Sequence, residues 1–574
     1  MPTNSLHAIS RRNFLKAAAA PAFARNAQPQ NAGTLVMNGR IATMDPQRPF
    51  VEALALANGT IIATGTNREI AAIKKPGMQV IDAQGSFIMP GLVDCHIHFL
   101  EGSLTMTRVH LEGASNVTEL QQRIRQYADA HRGNSWIQGR GWVYSNFGQT
   151  ALPDKKDLDT VLPNRPAYLR AFDGHSAWVN SKALALAGIT RDTPDPPGGV
   201  IVRDPASGDP TGVLKERPAQ DLIRRVIPPP SEQEKLSALR AGLAEARRVG
   251  LTRVHSAAYD VPELAVFARL RSQGELTLRF YMAHYLPAPQ MPEGTWLEEF
   301  EDAARRYHDD WLHAGAVKFY LDGVIESHTA VLLEPYSDNP RLNGKLFWDP
   351  AQFKQAVAKV NRLGYQIFTH AIGDRSVRLC LDAYEAAQLE NKRADARNRV
   401  EHIELVSSAD IPRFHALGVI ASMQPLHADP NANILDVWVR NVGPERATRG
   451  FAWQSLHQAG ACLAFGSDWP VVTQNPFKGI QVAVTRQTEK GKPAGGWQPQ
   501  QRVDRNTALR AYTIDAAFAG HREKTEGCLV PGKAADFVLL SQNLLTVDAG
   551  QIGATQVFLN CVGGQFVYRA PGWQ

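Results

Sequence analysis

Two histidines one residue apart, His96 and His98, have the types and spacing that most directly suggest chemistry in this chain. They follow an apolar run with a Pro-Gly entry, residues 89–95, which is typical of a buried strand. Side chains in a strand alternate with a period of two, so both imidazoles leave on the same face. Two nitrogen ligands at a rigid strand end can share one zinc-type ion. Such a pair also arises by chance in long chains, so the prediction depends on further ligands.

Four later segments end in polar groups that could complete such a site. Each follows a short apolar run, and the groups are Lys318 with Tyr320 and Asp322 on one face, His370, His402 and Asp468. Taken singly, each also fits a structural role, such as a hydrogen-bonded core imidazole, an ion pair between Lys318 and Asp322, or a helix cap. Together, in the order His-x-His, Lys, His, His, Asp, they indicate a metal site.

A repeated order of helix, glycine and strand must position these groups. Residues 234–249 form an amphipathic pattern that stops at Gly250 and leads into a strand over residues 251–255. Residues 351–363 stop at Gly364 in the same way, and similar patterns precede His402 and Asp468. This order predicts an α/β fold, a (β/α)8 TIM barrel with its chemistry at the carboxyl ends of the strands. A doubly wound sheet has the same order, but no G-x-G-x-x-G loop occurs where that fold needs it.

The length of 574 residues favours two or three domains. Short strand patterns broken at Asn-Gly turns occupy both ends of the chain, and we expect residues 33–88 and 528–574 to form one small composite β-sandwich domain. The alternative is two independent flaps. The barrel is predicted over residues 89–527. Residues from about 104 to 230 break its pattern and indicate an insertion that shapes the pocket.

The composition is that of a soluble globular protein, with 44% hydrophobic and 21% charged residues. The net charge of +6 owes three charges to the first 24 residues, and no basic run alternates with aromatics, so we expect no nucleic-acid partner. The five cysteines are widely spaced and form no C-x-x-C pair, which favours buried thiols over a disulfide framework.

Residues 1–27 resemble a twin-arginine signal peptide. Arg11, Arg12 and Lys16 precede a short, mildly apolar stretch that closes on a small-x-small pattern, which predicts cleavage near Ala24. The alternative is a mildly amphipathic N-terminal tail that is not a signal peptide. We expect export to the periplasm or secretion without a membrane anchor, because the apolar stretch is too short to span a bilayer and no cysteine sits at the cleavage region.

The assembled motifs resemble the amidohydrolase superfamily and, within it, the YtcJ-like amidohydrolase 3 group that includes N-substituted formamide deformylases. The resemblance covers nearly the whole chain after the signal. It is carried by residues 90–98, 139–142, 173–181, 318–323, 329–330, 370–374, 401–402, 467–471 and 531–536. It implies a metal-dependent barrel that hydrolyses a C–N bond in a small non-peptide amide, N-substituted formamide or cyclic imide.

The resemblance also implies roles for the six ligands. One zinc or other divalent ion would be held by His96, His98 and Asp468, and a second by His370 and His402. Lys318 would bridge them as a carbamate formed with carbon dioxide, and burial favours the neutral amine that this step needs. A zinc ion lowers the pKa of bound water to about 7, which provides the hydroxide. Asp468 would take a proton from that water and pass it to the departing amine. The alternative is a single ion with Lys318 unmodified and some histidines on the substrate.

The pocket candidates lie in or beside the matched motifs: Trp142, Tyr144, His175 and Tyr320. Aromatic side chains suit a ring or alkyl group on the amide nitrogen, although ordinary packing would also explain them. Asp322 is expected to orient Lys318 or a ligand histidine. A homodimer is possible on sequence alone.

Two segments depart from the family pattern, His328 where an arginine is common and Ser256 where an aspartate is common. Neither is a predicted ligand, but both could alter the pocket. Two rivals stay open at this point. One is a metal-dependent esterase or lactonase, and the other is an exported binding protein without turnover, which the complete ligand set argues against.

Overall fold

Eight parallel strands form the central sheet of the computed structural model, which describes residues 33–133, 135–150 and 152–573. In chain order these strands are β1 Leu92–Ile97, β2 Leu251–Tyr259, β3 Arg279–Tyr285, β4 Leu312–Tyr320, β5 Gln366–Ala371, β6 Arg399–His402, β7 Ile420–Met423 and β8 Leu463–Phe465. Each pairs with the next, from β1 through β8. The order and parallel register confirm the predicted (β/α)8 barrel and exclude a doubly wound sheet.

The chain just after β8 closes the barrel onto β1. The backbone N–H of Asp468 donates to the carbonyl of His96 at 2.6 Å, and the N–H of His98 donates to Trp469 at 2.8 Å. Asp94 adds a side-chain link, since its Oδ1 accepts from the backbone N–H of Ser467 at 3.0 Å. Barrel closure therefore brings the two ends of the predicted ligand order together.

Helices cover the barrel, and the two whose spans were predicted from the sequence lie within two residues of those spans. The helix Glu232–Arg248 starts at a capping box, in which Ser231 and Glu234 each accept the other's backbone N–H. It ends before Gly250, whose φ of 84° suits a residue without a Cβ. The remaining principal barrel helices are Phe99–Thr105, Leu264–Ser272, Gly294–Arg306, Pro350–Arg362, Asp374–Asn391, Ile411–Ala416, Trp453–Gln458, Pro476–Thr485, Arg505–Ala511 and Ile514–Ala519.

Strands from both chain ends share one sheet beside the barrel. Phe87–Pro90 pairs with Phe537–Leu540 in antiparallel register. The sheet has the order Gln565–Arg569, Val557–Val562, Phe537–Leu540, Phe87–Pro90, Arg40–Ala42, Phe50–Val51. A second sheet has the order Thr60–Gly65, Ala53–Ala57, Thr34–Met37, Gln79–Asp82, and an apolar core combines side chains from both ends of the chain. The division into domains at residues 33–88, 89–527 and 528–574 stays a prediction.

Between β1 and β2 the chain forms a further six-stranded sheet with its own apolar core. Its order is Val200–Arg203, Pro210–Lys215, Ser176–Val179, Ala167–Ala171, Ile137–Trp142, Val109–His110, and we call it the inserted sheet. Its helices are Val117–Ala130, Lys155–Asp159, Ser181–Leu186 and Glu216–Arg224. The predicted signal over residues 1–27 lies outside the described residues. No helix among the described residues is long and apolar enough to cross a membrane.

Candidate active site

The six predicted ligands all lie at the carboxyl-terminal end of the barrel strands. Their positions are His96 and His98 at the end of β1, Lys318 in β4, His370 in β5, His402 at the end of β6 and Asp468 just after β8. All are buried except His98, whose side chain is 18% exposed. His402 and Asp468 have φ values of 75° and 58°, backbone conformations that are costly for residues with a Cβ. The fold therefore holds two candidate ligands in strained positions at this end.

The carboxylate of Asp468 lies among three of the histidines. Its Oδ1 is 3.1 Å from Nε2 of His98 and 3.5 Å from Nε2 of His96, and its Oδ2 is 3.9 Å from Nδ1 of His402. Burial acts to raise the pKa of Asp468, but the neighbouring imidazoles hold it well below its usual value. The group therefore stays an anion, which can hold a cation or accept a proton.

His96 is held through one ring nitrogen so that the other faces the site. Its Nδ1 lies 2.5 Å from Oε2 of Glu401, while its Nε2 lies 3.2 Å from Nζ of Lys318. Arg399 donates to both carboxylate oxygens of Glu401, at 2.8 and 3.0 Å. Burial, together with the charge of Lys318, lowers the pKa of His96 to about 4, so the ring offers a neutral lone pair.

Lys318 is fully buried and has an unusually acidic ammonium group. Burial lowers its pKa to about 8, against the opposing charges of Glu401 and Asp468. Its Nζ lies 4.7 Å from the ring centre of Tyr320. The lowered pKa makes the neutral amine, the form that carbamate formation requires, more accessible near neutral pH.

His370 and His402 complete the cluster, with ring centres 4.5 Å apart. Nδ1 of His402 lies 2.8 Å from Oε1 of Gln424, and Nε2 of His370 lies 3.2 Å from the carbonyl oxygen of Gly323. Burial lowers the pKa of both rings well below the usual value. Both imidazoles are therefore neutral.

Asp322 supports the loops rather than Lys318. Its carboxylate accepts backbone N–H groups from Val331 at 2.9 Å, Ile372 at 3.0 Å and Gly373 at 2.9 Å. It also lies 3.7 Å from Nε2 of His370. Burial raises its pKa to about 7, against these hydrogen bonds. Of the two expected roles, the geometry favours orientation of the segment that carries His370.

The donor set fits a divalent metal. Among the described residues, ligand atoms of His96, His402 and Asp468 all lie within 4.8 Å of one another. Neutral imidazoles and a carboxylate are the ligands that zinc and similar ions prefer. This grouping differs from the two predicted ligand sets, because it places His402, predicted for the second ion, with His96 and Asp468, predicted for the first. How many ions are bound stays a prediction.

The pocket candidates divide into two groups. Tyr320 lies 5.1 Å from His370 between ring centres, and His175 lies 6.5 Å from His370, so both border the cluster. Trp142 is fully buried in the core of the inserted sheet, where its indole N–H donates to Leu169 at 2.8 Å. Tyr144 packs against the same core, and its hydroxyl donates to Asp173 at 3.1 Å. For these two the packing interpretation explains the contacts.

A sequence profile of the amidohydrolase family matches residues 79–568. This chain belongs to the amidohydrolase family. It is 33% identical to the protein LONG AFTER FAR-RED 3 of Arabidopsis thaliana, over 94% of this chain and 92% of the relative. It is 26% identical to the N-substituted formamide deformylase of Arthrobacter pascens, over 94% of this chain and 98% of that enzyme.

Among solved structures, this amidohydrolase resembles a metal-dependent hydrolase from Pyrococcus horikoshii, with a TM-score of 0.72 and 25% identity. The alignment covers 90% of this chain and 99% of that one. Together with the family membership, this confirms a metal-dependent hydrolase that acts on C–N bonds other than peptide bonds, with small-molecule substrates and a divalent metal.

No role was predicted from the sequence for the residues that hydrogen-bond to the candidate ligands on the side away from the metal site. Arg399 and Glu401 alternate along β6 and therefore share a face. This alternation is visible in the sequence, but it does not show which ligand the two side chains support. Gln424 and His427 follow β7, and the ring of His427 stacks parallel to His402 at 6.0 Å with Nε2 3.8 Å from Oδ2 of Asp468. Gln424 and His427 lie near His402 and Asp468 because β7 pairs with β6 on one side and with β8 on the other.

The two departures from the family pattern lie at different depths. Nδ1 of buried His255 accepts a hydrogen bond from Arg399 at 2.9 Å. His255 therefore helps to hold the arginine that binds Glu401. Its neighbour Ser256 accepts from the backbone of Phe99 at 3.4 Å. Nε2 of His328 pairs with Asp338 at 2.9 Å, near the surface of the loop that follows β4.

Proposed function

We propose that this amidohydrolase cleaves the C–N bond of a small amide, an N-substituted formamide or a cyclic imide, with zinc as the metal. The observation that carries the proposal is the convergence of His96, His402 and Asp468 beside buried Lys318. A related deformylase supports the formamide class, and the nitrogen and oxygen donors support zinc.

Divalent metals supply such a site with a water of lowered pKa and a polarised carbonyl. The protein supplies proton transfer and orientation. Asp468 stays ionised in its buried position, so its carboxylate can accept the proton of the attacking water and return it to the departing amine nitrogen. Its backbone is tied to β1 through the N–H that donates to His96, which fixes the distance between base and metal ligands.

A substrate panel tests the reaction class. N-aryl formamides, cyclic imides and aryl esters are incubated with enzyme depleted of metal and then reloaded with zinc, and release of amine or acid is measured. We expect amine release that depends on zinc and falls about 100-fold or more in Asp468→Asn, since general acid–base catalysis contributes on this scale. Asp302→Asn, on an exposed helix surface, is the matched control. Ester cleavage without amide cleavage would favour the esterase alternative instead.

We also propose that the protein is exported by the twin-arginine route. The sequence of residues 1–27 supports this, and the five cysteines are all free, as suits a protein that folds in a reducing compartment before export. Cell fractionation of wild type and an Arg11→Lys, Arg12→Lys variant tests it. Retention of the variant in the cytoplasm, with wild type in the periplasm, is expected. Equal distribution of the two would contradict it.

A further inference from the structure

Glu216 connects the inserted sheet to the catalytic end of the barrel. It begins the helix Glu216–Arg224, is 4% exposed and has a φ of 62°, which is a costly backbone conformation for glutamate. Its backbone N–H donates to the carbonyl of His175 at 2.7 Å. A buried charge in a strained position indicates a requirement for this residue that local folding does not explain.

The carboxylate of Glu216 has two different partners. Its Oε2 lies 2.8 Å from Nδ1 of His175, in the inserted sheet, and its Oε1 accepts the hydroxyl of Ser327 at 3.3 Å. Ser327 lies in the loop after β4. Its hydroxyl oxygen is 2.8 Å from the hydroxyl oxygen of Thr329 in the same loop. One side chain therefore spans the junction between the two parts of the site.

His175 is held by these contacts beside the candidate metal ligands. Its backbone N–H donates to Asp173 at 2.9 Å, and its ring centre lies 6.5 Å from that of His370. Because Glu216 engages Nδ1, the nitrogen left for a substrate is Nε2. The side chain of His175 is one-fifth exposed, so the ring is not closed off from solvent.

We infer that His175 donates a hydrogen bond from Nε2 to the carbonyl oxygen of the substrate, and that Glu216 is the positioning residue that holds it there. This deepens the proposed amide hydrolysis and rests on it. The hydrogen bond strengthens as negative charge develops on that oxygen during attack, which is where a prepositioned donor contributes most.

The electrostatics agree with this geometry. Burial by itself lowers the pKa of His175, but the charge and hydrogen bond of Glu216 outweigh it and raise the pKa to about 9. A charged imidazole is the stronger donor, and the nearby carboxylate leaves the pair without net charge. The inserted sheet thereby contributes a catalytic residue to a site whose candidate metal ligands all come from the barrel.

Kinetics on the best amide of the panel test the inference in the zinc-loaded enzyme. We expect His175→Gln to lower kcat about 100- to 1000-fold with KM changed far less, the scale of losing one oxyanion donor. Glu216→Gln should lower kcat by a smaller factor, and Glu216→Asp should recover part of what Glu216→Ala loses. Zinc content, measured on each variant, should equal that of wild type, and Tm, measured on the same samples, shows that each variant is folded at the assay temperature. Glu119→Gln, a surface glutamate of the same region, is the control.

The double variant His175→Gln, Glu216→Gln is decisive. If Glu216 acts through His175, the double variant is no slower than His175→Gln alone, because the second change has nothing left to disturb. Losses that multiply, or wild-type kcat in His175→Gln, would overturn the inference while leaving amide hydrolysis intact. Absence of amide turnover in wild type would instead overturn the proposed function and this inference with it.

Discussion

Oε2 of Glu401 lies 2.5 Å from Nδ1 of His96, and this contact decides which nitrogen of His96 faces the metal site. Arg399 holds Glu401 from behind through both carboxylate oxygens and also donates to the carbonyl of Cys95. A carboxylate behind a ligand histidine fixes its tautomer and raises its basicity. The pair joins β1 to β6, so ligand geometry and barrel geometry depend on one another.

Replacement of Glu401 should weaken metal binding. We expect Glu401→Gln to lower zinc affinity about 10- to 100-fold, because the ring loses its charged partner but keeps a hydrogen bond. The measurement is zinc retained after dialysis against a graded chelator series. Glu385→Gln, on an exposed helix, should behave as wild type. Unchanged affinity in Glu401→Gln would show that Glu401 stabilises the fold only.

Replacement of Lys318 tests whether its side chain bridges two metal ions. We expect Lys318→Ala to lose one zinc equivalent if the side chain bridges two ions, and to lose most activity in either case. Metal analysis paired with kcat decides between the two. Full metal content and full activity in the variant would exclude Lys318 as a ligand.

Gly466 sits where β8 meets β1 and has no room for a side chain. A Cβ there would lie 2.4 Å from the backbone nitrogen of His96 and 2.8 Å from Oδ1 of Asp94. We expect Gly466→Ala to destabilise the protein by about 1–3 kcal/mol and to reduce zinc content, since strand separation displaces His96 from Asp468. Gly133→Ala, where no atom lies within 4 Å, is the control for thermal melting. Equal Tm values for both variants would contradict the packing argument.

The buried ion pair between Arg253 and Glu526 should make stability depend on pH. Arg253 donates to both oxygens of Glu526, at 2.7 and 2.6 Å. Burial acts to raise the pKa of Glu526, but Arg253 lowers it below the usual value. A depressed pKa means that the stabilisation is present above the unfolded-state pKa, about 4.3, and is lost as the pH falls through the lower native value.

We therefore expect Glu526→Gln to lower stability by about 3–5 kcal/mol at pH 7, with a smaller difference from wild type below pH 4. Thermal melts of both proteins across this range provide the measurement. Glu275→Gln removes an exposed pair with Arg240 and should change the Tm little. A difference that stays constant with pH would rule out the charge as its cause.

Local pattern was enough to predict the barrel and the strand ends that carry the candidate ligands, because both depend on short-range rules. Period-two alternation placed His96 and His98 on one face, and helix, glycine and strand in succession placed His370 at a strand end. Trp142 shows the limit of that reasoning. Its motif and aromatic type suggested a pocket, but the same features serve a core, and only the inserted sheet shows which applies.

The sequence by itself determined which groups could bind a metal and at which strand ends they stand, because side-chain direction follows from backbone periodicity. Tertiary structure alone decided which distant side chains contact and orient the residues of the site. Glu401 meets His96 across 305 residues, and Glu216 meets Ser327 across 111, through barrel closure and the docking of the inserted sheet. Such contacts depend on the packing of distant elements, and no local spacing specifies that packing.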